Sequence, residues 1–240
     1  MLVFEHRNYL PSVGVFLLIA WLLSVPFRDG RLANPALPGA AVSALLLGLL
    51  FLRASLWGDE TSLARVGVEN HPQSSRSHYV YATVLLRQYQ ALPAVGGARA
   101  QAREQLVAAR YHFEQAIALQ PGDLGALVTL YQLDSTLFAS LGKRDRWLQQ
   151  LREVLAARRL RPADASALKT LMRCLANGNC AGGEDVASSL LLELRQRYPG
   201  NARVALLEYA YLKEAGAPPE RRRALLAQAL RARPGHHPLL

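Results

Sequence analysis

Two long uncharged stretches open the chain, and amphipathic helical patterns fill the rest of it. Twenty residues follow Arg7 without a charge, and twenty-one follow Arg31. A helix needs about twenty mainly apolar residues to cross a bilayer. The two stretches therefore predict a membrane hairpin over residues 1–58, with spans at about 9–27 and 36–54.

From residue 60 onward, apolar side chains recur at the three- and four-residue spacing of helices, and the pattern repeats. Prolines close the successive units at spacings of 49, 41, 37 and 35 residues. They are Pro72, Pro121, Pro162, Pro199 and Pro234. One short helical unit cannot bury its apolar face alone, whereas stacked neighbours can. The chain is therefore predicted to be all-α, with a solenoid of about four helix pairs over residues 59–240 following the two transmembrane helices.

The proline spacing approaches the thirty-four-residue period of tetratricopeptide repeats, and the residues before the prolines resemble that family's pattern. The family places a small residue twelve positions before the proline, a large one eight before it and a small one five before it. Ala109, Phe113 and Ala116 occupy these positions before Pro121, and the later units match in part. The resemblance implies that small side chains let the two helices of a unit cross closely, while the large one fills the gap between neighbouring units.

Solenoids of this kind bind peptides or proteins along a concave face that the first helix of each unit lines. The resemblance therefore predicts a protein or peptide partner on that face. The candidate contacts are Tyr79, Arg87, Tyr131, Asp134, Lys169, Arg173, Tyr209 and Lys213. The alternative is that each of them is only a solvated surface position.

All of the net charge belongs to the predicted repeats. Residues 61–240 carry 24 basic and 14 acidic side chains, which accounts for the whole +10, and residues 1–60 are neutral overall. A basic chain can bind nucleic acid. However, Arg221–Arg223 is the only run of three basic residues, and aromatic residues do not alternate with basic ones as they do where bases stack. We therefore expect no nucleic-acid partner, and anionic lipid headgroups or an acidic polymer instead.

The two cysteines, Cys174 and Cys180, are close in the sequence. A disulfide requires their Cα atoms to come within about 5.5–6 Å, and oxidation is expected if the repeats lie outside the cytoplasm. Two unpaired thiols are the alternative. No histidine lies nearby in the sequence to add a zinc ligand, and the chain has no phosphate-binding glycine loop, GxSxG or HExxH sequence. We therefore expect no metal, no cofactor and no self-contained active site.

The loop between the two predicted spans, RDGRLANPALPG, carries two arginines and one aspartate. Because basic loops favour the cytoplasmic side, this composition places the N-terminus and the repeats on the outer side, which for a bacterial inner membrane is the periplasm. A signal peptide is the alternative for the first stretch, but its acidic and aromatic head and the second stretch directly after it favour a hairpin.

A stripe of small residues, Ala40, Ala44 and Gly48, recurs every four residues in the second stretch. Such a stripe lets another membrane helix approach closely. The alternative is that small residues are simply common in membrane helices.

Both ends of the predicted hairpin resemble motifs of transmembrane tetratricopeptide-repeat O-mannosyltransferase-like proteins, which belong to the GT-C class of glycosyltransferases. The segment FEHRNYLPSVG is similar to the motif that opens one of that family's last membrane helices. Its matching residues are Glu5, Arg7, Tyr9, Leu10, Pro11 and Ser12. Trp57, Asp59 and Glu60 resemble the segment that leads from the family's final membrane helix to its repeats.

The resemblance also implies a role for the polar residues before the first span. Glu5, His6 and Arg7 would face the outer side near a lipid-linked sugar donor, with Arg7 paired to a phosphate and Glu5 holding that arginine in place. The family's catalytic acid lies in its first extracytoplasmic loop, and nothing in these 240 residues corresponds to it.

Two functions therefore fit the sequence. One is a membrane-anchored protein-interaction module that acts as a scaffold or positions an acceptor at the outer face of the membrane. The other is the C-terminal, non-catalytic portion of a GT-C glycosyltransferase that uses a polyprenyl-phosphate sugar. A basic scaffold tethered on the cytoplasmic side is a third hypothesis.

Overall fold

The computed structural model describes residues 36–92 and 98–232, and the regular structure within them is helical. The α-helices are α1 (Ala36–Trp57), α2 (Glu60–Asn70), α3 (Ser75–Ala91), α4 (Ala98–Leu119), α5 (Leu124–Thr136), α6 (Arg144–Ala157), α7 (Pro162–Ala176), α8 (Gly183–Arg197), α9 (Ala202–Glu214) and α10 (Pro219–Ala232), with a 3₁₀ turn at Ala139–Leu141. The prediction of an all-α chain is confirmed for these residues.

The chain divides into two compact units, Met1–Asp59 and Glu60–Leu240. In the first unit, α1 carries large apolar side chains that are between 40% and 74% exposed. They are Leu45, Leu46, Leu47, Leu49, Leu50, Phe51 and Leu52. The small residues Ala40, Ala44 and Gly48 of the same helix are exposed as well.

Within the described residues, we find no helix that combines the length and the apolar character needed to cross a bilayer. The second predicted span is therefore not confirmed. The first predicted span, together with Glu5, His6 and Arg7, lies outside the described residues.

In the second unit, helices pack both on their neighbours in the chain and on helices two positions away. α5 contacts α7, and α7 contacts α9, so these three helices lie side by side. α6 packs on α5, α8 packs on both α7 and α9, and α10 packs on α9. At the other end, α3 packs on α2 and α4, and α4 also contacts α5. The side-by-side helices α5, α7 and α9 position the groove described below.

One apolar core runs through this unit. Leu127 and Leu130 of α5 and Leu168 of α7 are completely buried and belong to the same cluster. Leu133 lies on the same face of α5 and is buried, as its spacing predicts. Leu137, four residues further along, is 48% exposed because α5 ends one residue before it.

Local signals in the sequence fix where the helices begin and end. The Asp123 side chain accepts a hydrogen bond from the Ala126 amide at the start of α5, which satisfies one of the free N–H groups there. Pro162 is the first residue of α7, where a missing N–H costs nothing. Gly178 and Gly216 follow α7 and α9 with φ of +70° and +71°, a region that favours glycine, so each glycine suits the end of its helix.

A buried polar network joins α4, α5 and α6. Arg110 donates to both carboxylate oxygens of Asp134, from Nε at 2.7 Å and from Nη2 at 2.9 Å. The Trp147 indole N–H donates to the same carboxylate at 2.7 Å, and Arg110 also pairs with Glu114 at 3.1 Å. Because a buried charge without partners is costly, the network holds the three helices in one arrangement.

A second arginine–aspartate cluster organises the start of α7. Arg158 forms an ion pair with the buried Asp164 carboxylate and also donates to the Gly122 carbonyl oxygen at 3.0 Å. Arg161 donates to Asp164 from its backbone N–H at 2.8 Å and from its side chain. Burial by itself would raise the pKa of Asp164, but the hydrogen bonds from Arg158 and Arg161 outweigh it and lower the pKa to about 2. Asp164 is therefore ionised at neutral pH and fixes the turn between α6 and α7.

A pair of histidines joins α3 and α4. The Nε2 atom of His78 lies 2.9 Å from the Pro72 carbonyl oxygen, so this nitrogen is the donor. In the neutral ring, the other nitrogen of His78 then accepts from Nδ1–H of His112, at 2.8 Å. Burial, and secondly the neighbouring His78, lower the pKa of His112 to about 4. His112 is therefore neutral at neutral pH.

This histidine pair predicts a loss of stability on mild acidification. The unfolded chain takes up a proton on His112 near pH 6.5, whereas the folded chain does so only near pH 4. The stabilisation from this residue is therefore fully present above about pH 6.5 and is lost as the pH drops toward 4. The expected loss is about 2 kcal/mol, less than the full pKa shift would give, because the ring remains partly exposed. Urea unfolding of the full chain at a series of pH values measures this loss.

The matched control for that prediction is His112→Asn, which removes the titrating group and keeps a polar side chain. Between pH 6.5 and 4 the variant should lose less stability than the unchanged chain. Parallel pH profiles for the two proteins would show that His112 does not carry the effect. The Asp164 cluster contributes in a separate, lower window, between about pH 4 and pH 2, where its carboxylate takes up a proton.

Candidate partner-binding groove

Four of the eight predicted partner contacts come together in a groove between α7 and α9. Lys169 and Arg173 lie one turn apart on α7, and Tyr209 and Lys213 lie one turn apart on α9. The groove has a volume of about 360 Å³. Its apolar base includes Leu207 and Ala210, which are buried.

The groove is basic. Arg203, which sequence reasoning missed, lines it together with Lys169, Arg173 and Lys213, against the single carboxylate of Glu214 among the described lining residues. Arg173 donates to Glu214 at 3.0 Å, so one basic side chain is neutralised there. Its spacing gave no clear signal, because ten residues are about 2.8 helical turns and set Arg203 about 80° around α9 from Lys213.

A second groove, between α3, α5 and α7, adjoins the first at Ser166, which lines both. It has a volume of about 760 Å³ and presents the side chains of Tyr79, Thr129 and Thr170. Burial, and secondly the charge of Asp123, raise the pKa of Tyr79, so its hydroxyl is neutral. Together the two grooves lie along the neighbouring helices α5, α7 and α9.

Tyr79 fits beside α5 because residue 125 is a glycine. A Cβ atom at Gly125 would lie 2.9 Å from the Tyr79 hydroxyl oxygen, which is closer than such contacts are found. The ring of Tyr79 also packs edge-on against Phe113, with centroids 5.6 Å apart. Tyr79 therefore lines the second groove from a fixed position.

Two of the predicted partner contacts are wrong, because the side chains are buried. Tyr131 is 1% exposed and donates its hydroxyl hydrogen bond to the Ala181 carbonyl oxygen at 2.6 Å. Asp134 is 2% exposed and accepts from Arg110 and Trp147. Both residues lie on α5, whose sides are covered by α4, α6 and α7, so these positions face neighbouring helices rather than a partner.

The last predicted contact, Arg87, lies apart from the other groove residues. Its guanidinium forms an exposed ion pair with Glu60 of α2. Neither groove has Arg87 among the residues that line it.

Cys174 and Cys180 form a disulfide whose Cα atoms are 5.3 Å apart. It closes the turn that follows α7, where the Asn179 and Cys180 amides both donate to the Cys174 carbonyl oxygen. Cys180 is buried in the core. Within the described parts of the chain, no three or more His, Cys, Asp or Glu side chains are grouped where they could hold a metal ion.

Comparison with known proteins does not assign the chain to a family. No protein-family model, curated protein or solved structure matches it. The resemblances to tetratricopeptide repeats and to GT-C glycosyltransferases therefore stay predictions, and the groove provides the structural basis for a function.

Proposed function

We propose that the chain is a membrane-attached protein-interaction module in which a tetratricopeptide-like solenoid binds a segment of a partner protein between α7 and α9. The observation that carries the proposal is the convergence of Lys169, Arg173, Tyr209 and Lys213 on one groove. The two residues on α7 lie about 40 positions before the two on α9 in the sequence, and the packing of the helices brings them together.

The solenoid part of the proposal is supported by the packing of the helix pairs. Ala109, Phe113 and Ala116 are all at most 1% exposed, as expected where small side chains allow a close crossing and a large one fills the space between units. In the third pair, Ala187 and Leu191 are buried in the corresponding positions. The side-by-side contacts of α5, α7 and α9 are those that stacked units require.

The membrane part is supported by the uncharged stretches of the sequence and by the apolar surface of α1. Seven large apolar side chains of that helix are exposed, and a contiguous apolar surface of this kind is typical of a contact with lipid or with another apolar surface. We propose attachment to a bacterial inner membrane, with the repeats on the periplasmic side. Cell membranes washed with alkaline carbonate should retain the chain, and its release into the wash would contradict the attachment.

The same groove is suited to hold an acceptor for a GT-C glycosyltransferase. The resemblance of residues 4–14 and 57–60 to that family favours this second function. In that case the partner segment is the acceptor to be glycosylated, and the catalytic groups belong to another part of the assembly.

Site-specific photocrosslinking tests the binding function in intact membranes. A benzophenone amino acid in place of Tyr209 should crosslink a discrete partner protein. The matched control replaces Tyr111, which is 54% exposed on α4 and lies outside the groove. Equal crosslinking from both positions, or none from position 209, would reject the groove as a binding site.

A further inference from the structure

Three basic side chains around the groove have no charged partner. Within the described residues, Lys169, Arg203 and Lys213 are exposed and form no ion pair or side-chain hydrogen bond. Arg173 is already paired with Glu214. Three like charges that surround one groove repel one another, and carboxylates placed between them would relieve this repulsion and form charge-assisted hydrogen bonds.

The base of the groove is apolar, so it favours an anionic ligand that also has an apolar part. Leu206 and Ala165 are half-buried, and Leu207 is buried. Tyr209 is the only aromatic side chain among the described residues that line the groove, whereas single-stranded nucleic acids are bound by successive aromatic platforms. A basic rim around an apolar base fits a peptide that carries both carboxylates and an apolar side chain.

The positions of the basic residues set the length of the ligand. Arg203 and Lys213 lie ten residues apart on α9, which corresponds to about 15 Å along the helix axis. An extended peptide advances about 3.3 Å per residue. A stretch of about five residues therefore reaches from one end of the basic rim to the other.

We infer that the partner segment is an acidic peptide of about five extended residues, with its carboxylates on Lys169, Arg203 and Lys213 and an apolar side chain on the base of the groove. This inference rests on the proposed function and specifies the partner's chemistry. It also gives the net positive charge of the repeats a local use.

Peptides of defined charge test the inference on the full chain in a nonionic detergent. The probe is a fluorescein-labelled peptide of about ten residues in which Glu and Leu alternate, long enough to exceed the groove at both ends. Two further peptides replace Glu by Gln or by Lys. The Glu peptide should bind about tenfold more tightly or better than the Gln peptide, and its affinity should fall as salt is raised from about 0.05 to about 0.5 M. Failure of the Glu peptide to bind, or equal binding of the Lys peptide, would overturn the inference.

A pair of charge-matched variants separates the groove from the general charge of the protein. The test variant combines Lys169→Glu with Arg203→Glu, and the control combines Arg76→Glu with Arg103→Glu, two exposed basic residues elsewhere in the unit. The test variant should bind the Glu peptide at least about tenfold more weakly, with the control unchanged. Equal losses in the two variants would show bulk attraction and overturn the inference, and circular dichroism establishes that both remain helical.

Two outcomes separate this inference from the proposed function. If position 209 crosslinks a partner in the unchanged chain and equally in the Lys169→Glu, Arg203→Glu variant, the groove binds a protein but not through its positive charge. If position 209 crosslinks nothing in the unchanged chain, both proposals fail. If a single-stranded oligonucleotide competes with the Glu peptide at equal charge concentration, the inferred ligand is wrong, and the groove binds nucleic acid instead of an acidic peptide.

Discussion

Replacing Asp134 with alanine should lower the free energy of unfolding by about 3–5 kcal/mol. The substitution leaves the guanidinium of Arg110, which is 7% exposed, without its bidentate partner, and it leaves the Trp147 indole N–H without an acceptor. Both groups stay enclosed between α4, α5 and α6, where water cannot replace the carboxylate. Urea unfolding followed by circular dichroism measures the loss.

Two further variants test the reason for that loss. Asp134→Asn retains an acceptor for Trp147 but loses the charge, so it should destabilise the chain less than alanine does. Asp185→Ala removes an exposed carboxylate from the first turn of α8, where the expected cost is about 1 kcal/mol or less. If Asp134→Ala is no worse than Asp185→Ala, the network does not stabilise the fold.

Replacing Phe113 with alanine should also cost about 3–5 kcal/mol. The Phe113 ring is 1% exposed and lies edge-on to the Tyr79 ring, and this contact joins α4 to α3. The backbone on both sides is held by Ala109 and Ala116, both completely buried, so the surrounding helices cannot collapse easily into the space that the ring leaves. A cavity should therefore remain, and the cost should approach the upper part of the range.

The control for Phe113 lies two residues earlier on the same helix. Tyr111 is 54% exposed, and Tyr111→Ala removes an aromatic ring without opening a cavity, so its effect on unfolding should be within about 1 kcal/mol. A similar loss from both substitutions would mean that Phe113 is not the tightly packed residue its environment indicates. Because Tyr79 also lines the second groove, Phe113→Ala should loosen that groove even where the fold survives.

The helices could be predicted from the sequence because their signals are local. Apolar spacing, proline positions and the glycines at 178 and 216 depend only on residues a few positions away, and within the described residues helices end before both glycines and α7 begins at Pro162. The positions of Ala109, Phe113 and Ala116 could be read in the same way.

The groove could be predicted only in part, because it depends on which faces of neighbouring helices meet. Lys169 and Tyr209 were predicted correctly to line a groove from their expected place on first helices. Tyr131 and Asp134 have similar positions in the sequence of α5, but α6 and α7 bury them. Sequence spacing gives the face of a helix but not the extent to which neighbouring helices cover that face. Arg203 was missed for the same reason, since its charge gains significance only beside α7.

The groove also has a mechanical consequence, because its two walls belong to different helices. The distance between Lys169 on α7 and Lys213 on α9 changes whenever these helices tilt against each other. A ligand that touches both walls binds best at one tilt, so its presence opposes bending of the array at this point. Occupancy of the groove should therefore make the stack of helices stiffer, and a strained or bent stack should hold its ligand less tightly.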